Sequence, residues 1–141
     1  MKLHEFQIGD RFVTPTVVVT LDDIINFAGA YDPLYFHIDT DKAKNSIFGR
    51  VVASGLHSIG LLNAEWVRMG ILEEDIQGGV AVEVQFMVPV YPDDEIHGEI
   101  VVENKKENSD GRTGLLTLSL TGRKKNEQIF SKAQFKILVN K

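Results

Sequence analysis

From Ser54 to about Met69 the chain carries a helical pattern with few polar positions, and this stretch constrains the fold most strongly. Ser58, Glu65 and Arg68 fall on one narrow stripe, while Leu56, Ile59, Gly60, Leu61, Leu62, Ala64, Trp66 and Val67 are apolar or small. Asn63 is a polar residue off that stripe. A helix apolar on most of its circumference must be buried by the rest of the fold. The second half of the chain supplies the cover. Val80, Val82, Val84, Phe86 and Val88 alternate with Ala81, Glu83, Gln85 and Met87, the two-residue repeat of a half-buried strand. Pro89, Pro92, Asp93 and Asp94 mark a bend before a strand from about Glu95 to Lys105. Turns at Asn108–Gly111 and Lys124–Glu127 then frame strands through Leu115–Thr121 and Ile129–Val139. Long antiparallel strands after one buried helix predict an α+β fold in which a sheet wraps a helix.

The first half is shorter-ranged. Phe12 to Val19 is rich in valine and threonine and reads as a strand, with Pro15 placing it at an edge or on a bulge. Thr20 is a good N-cap, and Asp22 and Asp23 suit the positive end of a helix dipole. Ile24, Ile25, Phe27 and Ala28 give that helix an apolar face before Gly29 and Pro33 end it. Asp39 to Ser46 is expected to form a short helical turn.

Composition removes several classes of function. A length of 141 residues fits one domain, residues 1–141, with room for a core. A net charge of −5 argues against a general nucleic-acid binder, which needs a basic surface. With no cysteine there is no disulfide, thiolate chemistry or cysteine-bound zinc. The four histidines show no metal-ligand spacing, so no metal is expected, and no Gly-rich phosphate loop or dinucleotide fingerprint is present. The N-terminus lacks the apolar run of a signal peptide, and no apolar stretch approaches membrane-spanning length. A cytoplasmic protein without a membrane partner is the expectation.

One segment carries chemistry. Asp32 and His37 flank a proline-containing stretch, and a carboxylate and an imidazole so spaced can act as an acid–base pair only if the backbone bends. On a continuous helix they would point about 140° apart, and on a strand to opposite faces. Pro33 disfavours helical geometry at Asp32, which predicts the required turn. An ordinary Asp-Pro turn beside a core histidine is the plainer alternative.

The run Phe27-Ala28-Gly29-Ala30-Tyr31-Asp32-Pro33-Leu34-Tyr35-Phe36-His37-Ile38-Asp39, with Phe48-Gly49-Arg50-Val51-Val52-Ala53-Ser54-Gly55-Leu56-His57 after it, resembles the MaoC-like dehydratases. These include the (R)-specific enoyl-CoA hydratases and have the hot-dog fold. A weaker similarity lies in Phe86–Asp94. The resemblance implies a curved antiparallel sheet around a central helix, paired as a homodimer or dimer of dimers. It implies a hydratase/dehydratase that interconverts enoyl and 3-hydroxyacyl thioesters of coenzyme A or an acyl carrier, with Asp32 and His37 as the catalytic pair. Gly55 would offer its N–H to the thioester oxygen. No cofactor is implied beyond coenzyme A as part of the substrate. The chain departs from the family at Leu34, where an Asn or Gln is usual, and at Tyr35, where a proline is usual. The alternatives within the same fold are a thioesterase and a non-catalytic acyl-binding or assembly module.

Further candidates surround these. Ser54 reads as the N-cap of the long helix and, with Asn63, as a candidate substrate-binding residue; a structural hydrogen bond is the other reading of Asn63. Gly55 could equally serve close packing. His57 is expected on the surface or at a dimer contact. Ser58 fails as a nucleophile elbow because Leu56 replaces the required glycine. Lys42, Lys44, Arg50 and Arg68 are the cations near in sequence for coenzyme A phosphates.

Overall fold

A computed structural model describes all of residues 1–141. Two short strands, β1 (Arg11–Val13) and β2 (Val17–Val18), lead into helix α1 (Leu21–Tyr31) and a single helical turn, α2 (Tyr35–Ile38). The long helix α3 (Gly55–Arg68) follows, and then four strands: β3 (Ile76–Phe86), β4 (Glu95–Glu107), β5 (Thr113–Lys124) and β6 (Ile129–Asn140). They form one antiparallel sheet in the order β1-β4-β5-β6-β3, with β2 also paired to β4. No helix is long and apolar enough to cross a membrane.

The sheet wraps α3 because its longest strands alternate. Ile96, Ile100 and Val102 of β4 and Leu116, Leu118 and Leu120 of β5 are buried with Ile59, Leu62 and Trp66 of α3 in one apolar cluster. Burial of each such side chain contributes about 1.5–3 kcal/mol. The expected strand over Phe12–Val19 is instead broken into β1 and β2. Pro15 has no N–H for a ladder, and the chain between the two strands is held by Thr14, whose N–H donates to Gly98 O while its hydroxyl accepts from Gly98 N–H. Helix α1 is capped as expected by the Thr20 hydroxyl, which accepts from Asp23 N–H at 3.2 Å, and it runs through Gly29 to end at Tyr31.

Two expectations about burial need correction. Helix α3 is enclosed on one side only, since Leu56, Gly60 and Val67 stay exposed along a second stripe. Strand β3 is not half-buried either: Val80 and Val82 are each 58% exposed. The reason is topological. β3 is the last strand of the sheet, paired only with β6, so one backbone edge has no partner within the chain.

Candidate active site

The Asp32–His37 bend forms from local hydrogen bonds. Asp32 closes α1 as its C-cap, its N–H donating to Ala28 O, in a non-helical conformation (φ −156°, ψ 67°). Leu34 N–H then returns to Asp32 O at 2.8 Å, a three-residue turn centred on Pro33, and His37 N–H donates to Leu34 O. Helical turn α2 thereby swings the imidazole back toward the carboxylate. His37 Nε2 stands 3.4 Å from Asp32 Oδ2.

The imidazole is held from its other side. His37 is 6% exposed, and its Nδ1 lies 2.5 Å from Val52 O. A carbonyl only accepts, so Nδ1 carries a proton, and in the neutral tautomer Nε2 presents its lone pair to the cleft. Val52 N–H donates to Phe36 O and Ala53 N–H to Val90 O, which ties the segment before α3 to both α2 and the bend after β3. Two acceptors, Nε2 and Oδ2, therefore face one small space, the arrangement that a water donating to both would satisfy.

Ser54 is wholly buried, and its hydroxyl does not cap α3 as expected: Oγ donates to Asp32 Oδ2 at 2.7 Å. The capping geometry is left to its carbonyl, which accepts from His57 and Ser58 N–H. Gly55, the first residue of α3, has an N–H with no acceptor in the chain, and it lines the cleft, so the positive helix end lies at the cleft wall. The cleft has a volume of about 350 Å³ and is lined mainly by apolar groups, among them Phe48, Val52, Ala53, Phe86, Val88 and Phe130. Phe86 lies against Gly55 so closely that a Cβ on Gly55 would meet its ring.

Of the residues read from the sequence, Asp32, His37 and Gly55 line this cleft and Ser54 braces it from behind. Asn63 does not reach it. Two turns up α3 from Gly55, it lines a separate small apolar cavity with Trp66, Val67, Ile76 and Phe135. His57 is buried rather than on the surface. Its ring stacks on Phe27 (centroids 4.7 Å apart, planes 10° apart), and its Nδ1 has no partner. Burial pushes its pKa below the usual histidine value, with Asp23 opposing in part. Leu34 and Tyr35 are half exposed and do not line the cleft; the Tyr35 ring packs edge-on against Phe36. Ser58 does line it, donating to Gly55 O at 3.2 Å. Phe130 and Ser131 were not legible in the sequence, since only the β3–β6 register sets Ser131 opposite Phe86.

Residues 5–124 match the MaoC-like domain family, and the chain belongs to that family. It is 34% identical to the protein YdeM of Bacillus subtilis (strain 168) in an alignment of 142 positions that covers 100% of both chains. Its fold is similar to that of a MaoC-like dehydratase from Rhodospirillum rubrum, with a TM-score of 0.92, 27% identity, and coverage of 100% of this chain and 97% of that one. The (R)-hydratase PhaJ1 from Pseudomonas aeruginosa shares the fold at a TM-score of 0.75 and 18% identity, over 98% of this chain and 84% of that one. The six-stranded sheet around α3 is the hot-dog fold.

Proposed function

We propose that this chain is a hydro-lyase that adds water reversibly across the 2,3 double bond of an acyl thioester, giving the (R)-3-hydroxyacyl thioester. The observation that carries the reading is the pairing of Asp32 Oδ2 and His37 Nε2, 3.4 Å apart, in a mainly apolar cleft also lined by Gly55, whose N–H has no acceptor in the chain. Membership of the MaoC-like family supports it.

In this reading a water sits between Asp32 and Nε2. Its oxygen attacks C3 while the pair takes the proton it loses, and the pair returns a proton to C2, so that it ends unchanged. Electron density moves through C2 to the thioester oxygen as the C3–O bond forms. The Gly55 N–H at the start of α3 then meets an enolate, and such a donor is worth about 10²–10³ in turnover. The pair itself contributes about 10²–10⁴. Nδ1 takes no part beyond orientation, because Val52 O holds its proton.

The working form is proposed to be a homodimer. The free edge of β3 and the exposed stripe of α3 (Leu56, Gly60, Val67) border each other at both ends: Gly55 with Phe86 at the cleft, and Val67 with Ile76 at the second cavity. An exposed apolar edge strand of eleven residues is a pairing surface.

The test is hydration of crotonyl-CoA, followed as loss of enoyl absorbance, in the wild type, Asp32→Asn and His37→Ala. Loss of about 10² or more in each folded variant is expected. Release of thiol with the double bond intact would replace this reading with a thioesterase. Saturable acyl-CoA binding without turnover would replace it with a binding module.

A further inference from the structure

Three of the five arginines contact carboxylates. Arg11 and Arg123 both contact Glu99, and Arg68 pairs with Glu65. Arg50 has no carboxylate within 4.0 Å and makes no side-chain hydrogen bond to the chain; its guanidinium carbon lies 4.0 Å above the centre of the Tyr91 ring. A second cation shares that ring. Lys124 Nζ is 5.3 Å from the same centre, held by Asp94 Oδ2 at 2.9 Å and by donation to Pro89 O at 2.7 Å.

Each of the three groups lies close in the chain to, or is held by, a residue that lines the cleft. Arg50 immediately precedes the Val51–Ser54 segment, in which Val52 holds His37 and lines the cleft. Tyr91 follows Val90, which lines the cleft and accepts from Ala53 N–H. Pro89, whose carbonyl fixes Lys124, lines it too. Asp94 pairs with Lys124, which leaves the Arg50 guanidinium as the cation here without a carboxylate partner. A guanidinium over an aromatic ring spends none of its N–H donors on a carboxylate or carbonyl, and its planar fork matches two oxygens of a phosphate.

We propose that Arg50, oriented by Tyr91 and supported by Lys124, is a phosphate-binding subsite for the phosphorylated end of a pantetheine thioester. The inference rests on the acyl-thioester reading of the cleft, and it adds what that reading lacks, a means of recognising the carrier. The 4′-phosphoryl group of pantetheine is common to coenzyme A, where it is part of a diphosphate, and to the arm of an acyl carrier protein, where it is a phosphodiester. Arg50 would engage it in either, while the thioester end lies at Asp32 and His37.

Calorimetric binding of pantetheine, 4′-phosphopantetheine and coenzyme A to the wild type and to Arg50→Gln tests this without any turnover. The wild type is expected to bind phosphopantetheine about tenfold more tightly than pantetheine, the scale of one charge-assisted contact at a partly solvated site. Arg50→Gln should bring that ratio to near unity, and Tyr91→Leu should reduce it. Coenzyme A binding more tightly than phosphopantetheine would assign the subsite to free coenzyme A, and equal binding would assign it to the carrier arm. A wild type that does not distinguish phosphopantetheine from pantetheine, or an Arg50→Gln variant that weakens both alike, would overturn the proposal. Wild-type hydration of crotonyl-pantetheine, which has no phosphate, reports separately on the Asp32–His37 chemistry.

Discussion

Ser54 Oγ donates to Asp32 Oδ2 across 2.7 Å from a fully buried position, and the oxygen it holds is the one that faces His37 Nε2. Residue 54 is thus a positioning group for the carboxylate. It fixes the rotation of Asp32 about its side chain, which the half-exposed α1–α2 turn alone would not do.

Removing that hydroxyl should cost turnover more than affinity. Hydrogen bonds to charged groups contribute about 1.5–3 kcal/mol, so Ser54→Ala is expected to lower kcat by about tenfold or more with KM little changed. Ser54→Cys, close in shape and a weaker donor, should fall between the two. Wild-type turnover in the Cys variant beside a loss in Ala would show that packing, not the hydrogen bond, is what matters at this position.

Gly55 and Phe86 should behave as a coupled pair. A Cβ at residue 55 would stand within 2.7 Å of Phe86 Cζ, so Gly55→Ala must push the ring into or out of the cleft. Because Phe86 is 59% exposed, the ring can move at small cost in stability. Activity is expected to drop by about 10², the scale of a misplaced oxyanion donor, while Tm changes little. The double variant with Phe86→Ala should regain activity to the level of Phe86→Ala alone, a non-additivity read from steady-state kinetics.

His57 makes stability depend on pH in a defined direction. Its pKa is lowered in the fold, chiefly by burial. The unfolded chain therefore takes up a proton below about pH 6.5 that the folded chain refuses. The stability involved is fully present above that pH and is lost as pH falls toward the folded value. Thermal melts at about pH 8 and about pH 5.5 should show a smaller drop in Tm for His57→Phe than for the wild type. Parallel drops would mean that other groups carry the dependence.

Charge on the β3 edge should separate the chains. Val80→Lys combined with Val82→Lys places two ammonium groups on the exposed strand, and analytical ultracentrifugation is expected to show a dimer for the wild type and a monomer for the double variant. Retention of the dimer would place the interface elsewhere.

Much of this was legible from periodicity. The long helix, the strands after it and the turns between them follow from spacing alone, because a period of 3.6 or of two is a local property of the chain. The bend between Asp32 and His37 was legible for the same reason, since Pro33 acts on its neighbours. Burial at β3 was not. Val80 and Val82 alternate as a half-buried strand should, yet the strand order puts them at an edge, and no local pattern records which strand comes last.

The site divides along the same line. By itself the sequence determined that Asp32 and His37 could meet, and that Gly55 would begin a helix, because both depend on backbone geometry within a few residues. Only the tertiary structure decided what they meet. Ser54 reaches Asp32 across 22 residues, Val52 fixes the His37 tautomer across 15, and Phe86 closes on Gly55 from a strand beyond the helix. Asn63 was excluded from the cleft in the same way, by its place two turns along α3 on a face turned toward another cavity. Side-chain contacts between distant segments depend on how the sheet wraps the helix, and that path is set by the packing of the whole core rather than by any one stretch of chain.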